Sequence, residues 1–252
     1  MIPIPKVAPG AQFAPLRVPR GARVFVLTGA GISAESGVAT FRDAGGLWEQ
    51  HRIEDVATPD GFERDPRLVW RFYSERRRKA GAVRPNPAHD ALAHLEERLG
   101  GDFFLCTQNV DPLHERAGSR RVVHMHGELF RTRCSVCDRP PFADESAYFD
   151  ALPRCGCGAL LRPAVVWFGE TPLELEAIFT ALSACDLFVT VGSSGAVYPA
   201  AGFVSHLRNV AGSRGFARAV YVGLERPENA HCFDECRLGK AGELLPSLFG
   251  LE

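Results

Sequence analysis

The chain has 252 residues, with 29 Lys and Arg against 30 Asp and Glu, a formal net charge of −1. That length suits one large domain, or a large domain carrying a small insert. The balanced charge argues against nucleic acid or an anionic membrane as partner, and no apolar run approaches the length of a membrane span.

The first 21 residues, MIPIPKVAPGAQFAPLRVPRG, carry prolines throughout and no apolar core segment. They read as an extended arm rather than a secretory signal, so a cytoplasmic location is the default expectation. Short β-branched and aromatic runs then predict buried strands at 24–27, 103–106, 122–123, 187–191 and 219–222. Helical patterns lie between them at 66–80, 88–99, 173–184 and 199–211. Leu68, Val69 and Phe72 share one face of the first, and Ala88, Leu92, Leu95 and Leu99 one face of the second, which Gly100 stops. Buried strands alternating with helices indicate an α/β fold, a Rossmann-like parallel sheet covered on both faces. Between about 127 and 165 the cysteines, prolines and glycines leave little room for long elements, which marks a small insert.

Ligands of an open parallel sheet bind beyond the carboxyl ends of its strands. Here those ends read Thr28-Gly29-Ala30-Gly31-Ile32-Ser33-Ala34, Gln108-Asn109-Val110-Asp111, His124-Met125-His126-Gly127, Gly192-Ser193-Ser194-Gly195 and Gly223-Leu224-Glu225. Any one of them is explained by a capped turn. Five polar or glycine-rich ends together point to one shared ligand site. The first matches G-x-G-x-x-A, whose glycines let backbone N–H groups approach a pyrophosphate ahead of a helix N-terminus. A hydride-transfer enzyme would also need a second strand about 20 residues on, ending in an acid. Residues 45–52, GGLWEQHR, show no strand pattern and read instead as a loop covering a ligand.

Of eight cysteines, Cys106 and Cys185 lie in apolar runs and read as buried thiols. Cys134-x-x-Cys137 and Cys155-x-Cys157 offer four thiolates suited to one tetrahedral zinc. Four protein ligands leave no open position, so such a zinc is structural; a set of free thiols is the alternative. Cys232 and Cys236 are spaced as one helix turn and read as further buried thiols.

GAGISAESGVATFRDAGGLW (29–48), TQNVDPLHERAG (107–118), HMHGEL (124–129), the paired cysteines and LRPAVVWFGE (161–170) together resemble the sirtuins, NAD-dependent protein lysine deacylases. The resemblance runs from about residue 22 to the C-terminus. It implies one catalytic domain, an inverted Rossmann-type unit with a zinc-ribbon insert, whose cleft receives NAD and an acyl-lysine protein or peptide. Gly29, Ala30, Gly31, Ile32, Ser33, Phe41, Arg42 and Trp48 correspond to the loop that binds NAD. Gln108, Asn109, Val110 and Asp111 correspond to the segment that holds nicotinamide and its ribose, and Gln108, Asn109 and Asp111 join His126 as expected catalytic residues. Gly192, Ser193, Ser194, Gly223, Leu224, Glu225 and Ala241 correspond to contacts on the adenosine side. In the family's mechanism the acyl oxygen attacks the ribose carbon as nicotinamide leaves, and the histidine activates a ribose hydroxyl. The products are free lysine, nicotinamide and acylated ADP-ribose. His124, two residues from His126, is expected to be structural. Val166, Trp167, Phe168, Gly169 and Glu170 match the rim where substrate backbone pairs like an added strand.

Tyr73 and Arg76, three apart on a predicted helix, share a face. A phenol and a guanidinium together can hold a carboxylate. Their Y-x-x-R spacing resembles the sirtuin subclass that removes succinyl and malonyl groups, bacterial members of which often deacetylate too. Ala44 matches a position that leaves room for a longer acyl chain. Three residues depart from the family pattern: Pro112, Ser193 and Gly223. Gly223 stands where asparagine is frequent, so Gly223→Asn is expected to restore a contact and tighten NAD binding. The rival functions are a mono-ADP-ribosyltransferase on the same scaffold, a non-catalytic NAD-sensing module and a nucleic-acid-binding zinc ribbon. The short amino end and intact His126 argue against the first, retention of His126, Asn109 and Asp111 against the second, and the net charge against the third. A monomer is expected.

Overall fold

A computed structural model describes residues 13–39, 47–48, 50–211 and 217–251. Six parallel strands form its main sheet: β1 Val24–Thr28, β2 Phe103–Thr107, β3 Val122–His124, β4 Leu187–Val191, β5 Arg218–Gly223 and β6 Glu235–Leu238. Their order across the sheet is β6-β5-β4-β1-β2-β3. The chain starts in the middle, winds to one edge, then returns and winds to the other. That order creates a crevice where the winding reverses, between β1 and β4. The register aligns the strand ends: Thr28 lies opposite both Val191 and Thr107.

Successive residues of each strand enter different cores, as the two-residue period of a strand requires. Val24, Val26, Leu105, Val189 and Val220 pack with Ala88, Leu92 and Leu95 of helix Pro87–Leu99. Phe25, Leu27, Phe188 and Ala219 pack on the opposite side with Ile178 and Leu182 of helix Leu175–Ala184 and Phe203 of helix Phe203–Ala211. Helix Pro87–Leu99 starts where expected because Asn86 caps it through Ala88 N at 2.9 Å.

All five predicted strands and four predicted helices are present, with small shifts at their ends. The alternating, charged strand β6 was not anticipated; Arg218 and Arg237 both pair with its Glu235. It also corrects the reading of Cys232 and Cys236. Cys232 ends a 3-10 turn and Cys236 sits on β6, so they do not share a helix turn. In the stretch read as a covering loop, Leu47–Trp48 pairs antiparallel with His51–Arg52. Leu16–Val18 of the amino-terminal arm pairs in parallel with Phe249–Leu251.

The insert is a small antiparallel sheet in which Gly127–Cys134 pairs with Phe142–Ala143 and Leu161–Val165. A third core joins it to helix Pro66–Ala82 through Val69, Trp70, Tyr73, Leu129, Leu161 and Trp167. Arg77 of that helix is the staple. Its guanidinium donates to Leu129 O, Asp144 Oδ2, Ser146 O, Arg131 O and Thr132 Oγ1. A guanidinium has five N–H groups, and each of these five bonds occupies one, all to the insert. Of the four consecutive basic residues 76–79, Arg76 and Arg77 are buried and Arg78 and Lys79 are exposed.

The four sulfurs of Cys134, Cys137, Cys155 and Cys157 lie within 4.8 Å of one another. The Cys134–Cys157 and Cys137–Cys155 separations are 3.6 and 3.7 Å. A tetrahedron with zinc–sulfur bonds of about 2.3 Å has edges of about 3.8 Å, so the cage fits one zinc ion. Backbone N–H groups of Cys137 and Val136 pull the Cys134 thiol down to about 6, toward the ligating thiolate. Cys134→Ser or Cys155→Ser is expected to release one zinc per chain and lower the melting temperature, because metal binding and folding of such a module are coupled. Elemental analysis and thermal unfolding check this; a wild-type protein lacking zinc would refute it.

Candidate active site

At the end of β1 the chain makes two 3-10 turns, Ala30–Ile32 and Ala34–Ser36, rather than the helix a dinucleotide fingerprint calls for. The backbone N–H groups of Gly29, Gly31, Ile32 and Ser33 donate to Val191 O, Gly192 O, Gly29 O and Ala30 O. They are spent within the protein. The glycines serve a different purpose from the one read in the sequence. A Cβ on Gly29 would stand 2.8 Å from Ser193 Cα, and one on Gly31 2.7 Å from Gly192 Cα. The two strand ends can touch only if those positions are bare.

The polar stretch after β2 is tied into the same contact. Gln108 donates through N to Thr28 O and through Nε2 to Ser193 Oγ at 2.8 Å. Asn109 Nδ2 donates to Gly29 O and Ser33 Oγ, each at 3.2 Å. Asp111 accepts from Ser33 Oγ at 3.1 Å and from Leu113 N at 3.2 Å. Burial pushes the Asp111 carboxyl up, against these hydrogen bonds. The imidazole of His114, by contrast, turns into the core and meets Thr28 Oγ1 at 2.9 Å.

The two histidines of 124–126 hang from neighbouring carbonyls of that stretch but shift in opposite directions. His124 Nδ1 donates to Asn109 O at 3.0 Å and Nε2 to Glu115 Oε1 at 2.7 Å. Burial opposes its charge, but Glu115 and Asn109 O outweigh burial and raise its pKa. His126 Nδ1 donates to Gln108 O at 3.1 Å. That bond places the hydrogen on Nδ1 and leaves Nε2 as the basic nitrogen. Burial lowers the His126 pKa, only partly offset by the carbonyl.

These strand ends enclose a cavity of about 550 Å³. Gly29, Ala30, Gly31, Trp48, Gln108, Asn109, Val110, Asp111 and His126 line it, with Gly192, Ser193, Ser194, Gly223, Leu224, Glu225 and Ala241. Tyr73 and Arg76 form its wall toward the insert, with Val166, Trp167, Phe168, Gly169 and Glu170. Two of the expected binding residues are not on the wall. Ile32 is buried in the core, and Ser33 lies beneath Asn109 and Asp111 as their hydrogen-bond partner. Phe41, Arg42 and Ala44 lie outside the described residues.

Tyr221 also lines the cavity and was missed. It is two residues from Gly223 on β5, so the strand period puts both on one face; that was the available signal. A Cβ at Gly223 would stand 2.3 Å from Tyr221 Oη. Tyr221 is buried against Phe233, so the space in which an asparagine side chain would sit is already filled. The Tyr221 ring thus counts against the expected benefit of Gly223→Asn.

The Sir2 family model matches residues 29–199. An NAD-dependent protein deacylase of Pasteurella multocida (strain Pm70) is 51% identical over 227 residues, 89% of this chain and 95% of that protein. A solved complex of a Sir2 homologue with NAD superposes with a TM-score of 0.79 at 40% identity, covering 90% of this chain and 88% of that one. A Sir2 complex with deacetylated p53 peptide and 3′-O-acetyl ADP-ribose gives 0.76 at 30% identity, covering 89% and 91%. The resemblance read from the five sequence motifs is met.

Two outcomes are expected. A base whose pKa is depressed stays neutral to lower pH, so the acid limb of kcat/KM should fall below pH 6.5. It should vanish with all deacylation in His126→Ala, which still binds ADP-ribose by calorimetry; loss of that binding would contradict the role. Gly223→Asn should weaken ADP-ribose binding and lower the melting temperature, since overpacking costs about 1–3 kcal/mol. Tighter binding in calorimetry would show that Tyr221 yields freely.

Proposed function

The chain belongs to the Sir2 family, and on that premise we propose that this NAD-dependent protein lysine deacylase removes succinyl and malonyl groups, and acetyl groups as well. The observation that carries the acyl assignment is the paired phenol and guanidinium in an aromatic wall. Arg76 is buried, its guanidinium 4.1 Å from the Trp48 ring centroid and 5.6 Å from that of Phe72. Burial raises the Tyr73 phenol to about 12, so it is neutral and keeps its proton. A permanent cation beside a neutral O–H donor, among apolar side chains, suits an acyl group ending in a carboxylate.

NAD, when bound, supplies the ribose carbon that accepts the acyl oxygen and releases nicotinamide, giving free lysine and acylated ADP-ribose. The chain's own residues supply position and proton transfer. Gly192, Ser193, Ser194, Gly223, Leu224, Glu225 and Ala241 form the adenosine side. Asn109 and Asp111, braced by Ser33, form the nicotinamide side with Gln108. His126 Nε2 is the proton acceptor, and His124, bound at both nitrogens, is structural. Residues 166–170 form the rim for an acylated peptide backbone. The zinc module holds that rim against the sheet domain and takes no part in the chemistry.

We read residues 22–252 as one catalytic unit with its insert at about 127–165, acting as a cytoplasmic monomer. No described helix is long and apolar enough to cross a membrane. Matched succinyl- and acetyl-peptides test the acyl assignment. Tyr73→Phe combined with Arg76→Met should lower the succinyl-to-acetyl ratio of kcat/KM by about a hundredfold or more, because breaking a buried charge pair costs roughly 3–5 kcal/mol. A ratio that stays constant while both activities fall would assign the two residues to folding or general peptide binding.

A further inference from the structure

We propose that Trp167 sets acyl selectivity by fixing the direction in which the Tyr73 hydroxyl donates its proton. This rests on the carboxylate-clamp reading above and adds to it a residue that acts through Tyr73.

Trp167 Nε1 lies 3.0 Å from Tyr73 Oη, and both side chains are almost fully buried. An indole N–H can only donate, so Tyr73 Oη is the acceptor of this bond. A phenolic hydrogen prefers the ring plane and has two in-plane positions. The incoming indole N–H occupies one side of the oxygen, which turns the hydroxyl hydrogen to the other. Trp167 is the hydrogen-bond partner of Tyr73 among the described residues, and no acceptor for the hydroxyl hydrogen is found among them. Both rings line the cavity, so that hydrogen is offered to a ligand. Because burial holds the phenol neutral, the hydrogen is present throughout the working pH range.

The indole is itself held. The Arg162 guanidinium stacks 3.4 Å from its centroid. Arg162 is gripped by both oxygens of Glu170, at 2.6 and 2.9 Å, and donates to Val165 O at 2.9 Å. The backbone N of Trp167 donates to Glu170 Oε2 at 2.8 Å. A rigid donor behind a rigid phenol means that no rotor freedom is lost when a carboxylate arrives. Donation into the oxygen also polarises the O–H outward and strengthens its next hydrogen bond. An acyl group ending in a methyl gains nothing from either effect. Trp167 is thus a positioning residue for acyl choice, and a phenylalanine there would keep the ring but lose the N–H.

The test is a double-mutant cycle on Trp167→Phe and Tyr73→Phe, read as the succinyl-to-acetyl ratio of kcat/KM. Trp167→Phe should lower that ratio by about two- to tenfold, the range of one neutral hydrogen bond, with the loss in KM for the succinyl-peptide. Tyr73→Phe should lower it at least as far, and the double variant no further than Tyr73→Phe alone. If the single effects instead multiply, the two residues act independently and the proposal is wrong. If Tyr73→Phe lowers the ratio and Trp167→Phe does not, the proposal fails and the clamp stands. If Tyr73→Phe with Arg76→Met leaves the ratio unmoved, the clamp itself fails. Should Trp167→Phe not fold, benzothienylalanine at position 167 replaces only the N–H by sulfur and must give the same fall in ratio.

Discussion

Gly29 and Gly31 lie against Gly192 and Ser193 with no room for a Cβ between them, and the site is built on that contact. It closes the crevice between β1 and β4 from beneath. It also lets Gln108 and Asn109 reach across to Ser193 and Gly29, so three strand ends share one hydrogen-bonded floor. The carbonyls of that same stretch then hold both histidines. A methyl group at either glycine would separate the strand ends and, through them, displace the base.

The opposite wall depends on a second joint. Helix Pro66–Ala82 presents Tyr73 and Arg76 to the cavity and Arg77 to the insert. One turn of helix thus fixes both the acyl-facing groups and the module that carries Trp167. A metal cage and a saturated guanidinium do for the insert what its small core cannot do alone. The two joints explain why a protein with an ordinary parallel sheet carries an insert whose four clustered cysteines fit one zinc ion.

Much of this was legible because it obeys local rules. The strand runs, the glycine stop after Leu99 and the placement of polar residues at five strand ends follow from period and composition. The cysteine spacing identified the metal cage. What the sequence concealed was how the groups are used. The G-x-G-x-x-A match was visible, but the N–H groups of Gly29, Gly31, Ile32 and Ser33 are bonded to neighbouring carbonyls. The sequence held no sign that Arg77 is fully engaged, because burial of a cation depends on acceptors 50 to 70 residues away. Ile32 and Ser33 follow their neighbours in sequence but not onto the cavity wall. Strand β6 escaped notice because an edge strand with alternating charge has no apolar run. Phe41, Arg42 and Ala44 lie outside the described residues.

Tyr221 and Gly223 carry a further consequence, for the routes by which such a site can change. Asparagine at 223 and tyrosine at 221 claim the same volume. A side chain at 223 has to displace the Tyr221 hydroxyl, so the order of single substitutions between an asparagine-bearing site and this one matters. The effect of either residue depends on the other, so transplanting either one alone into a relative would misjudge its worth.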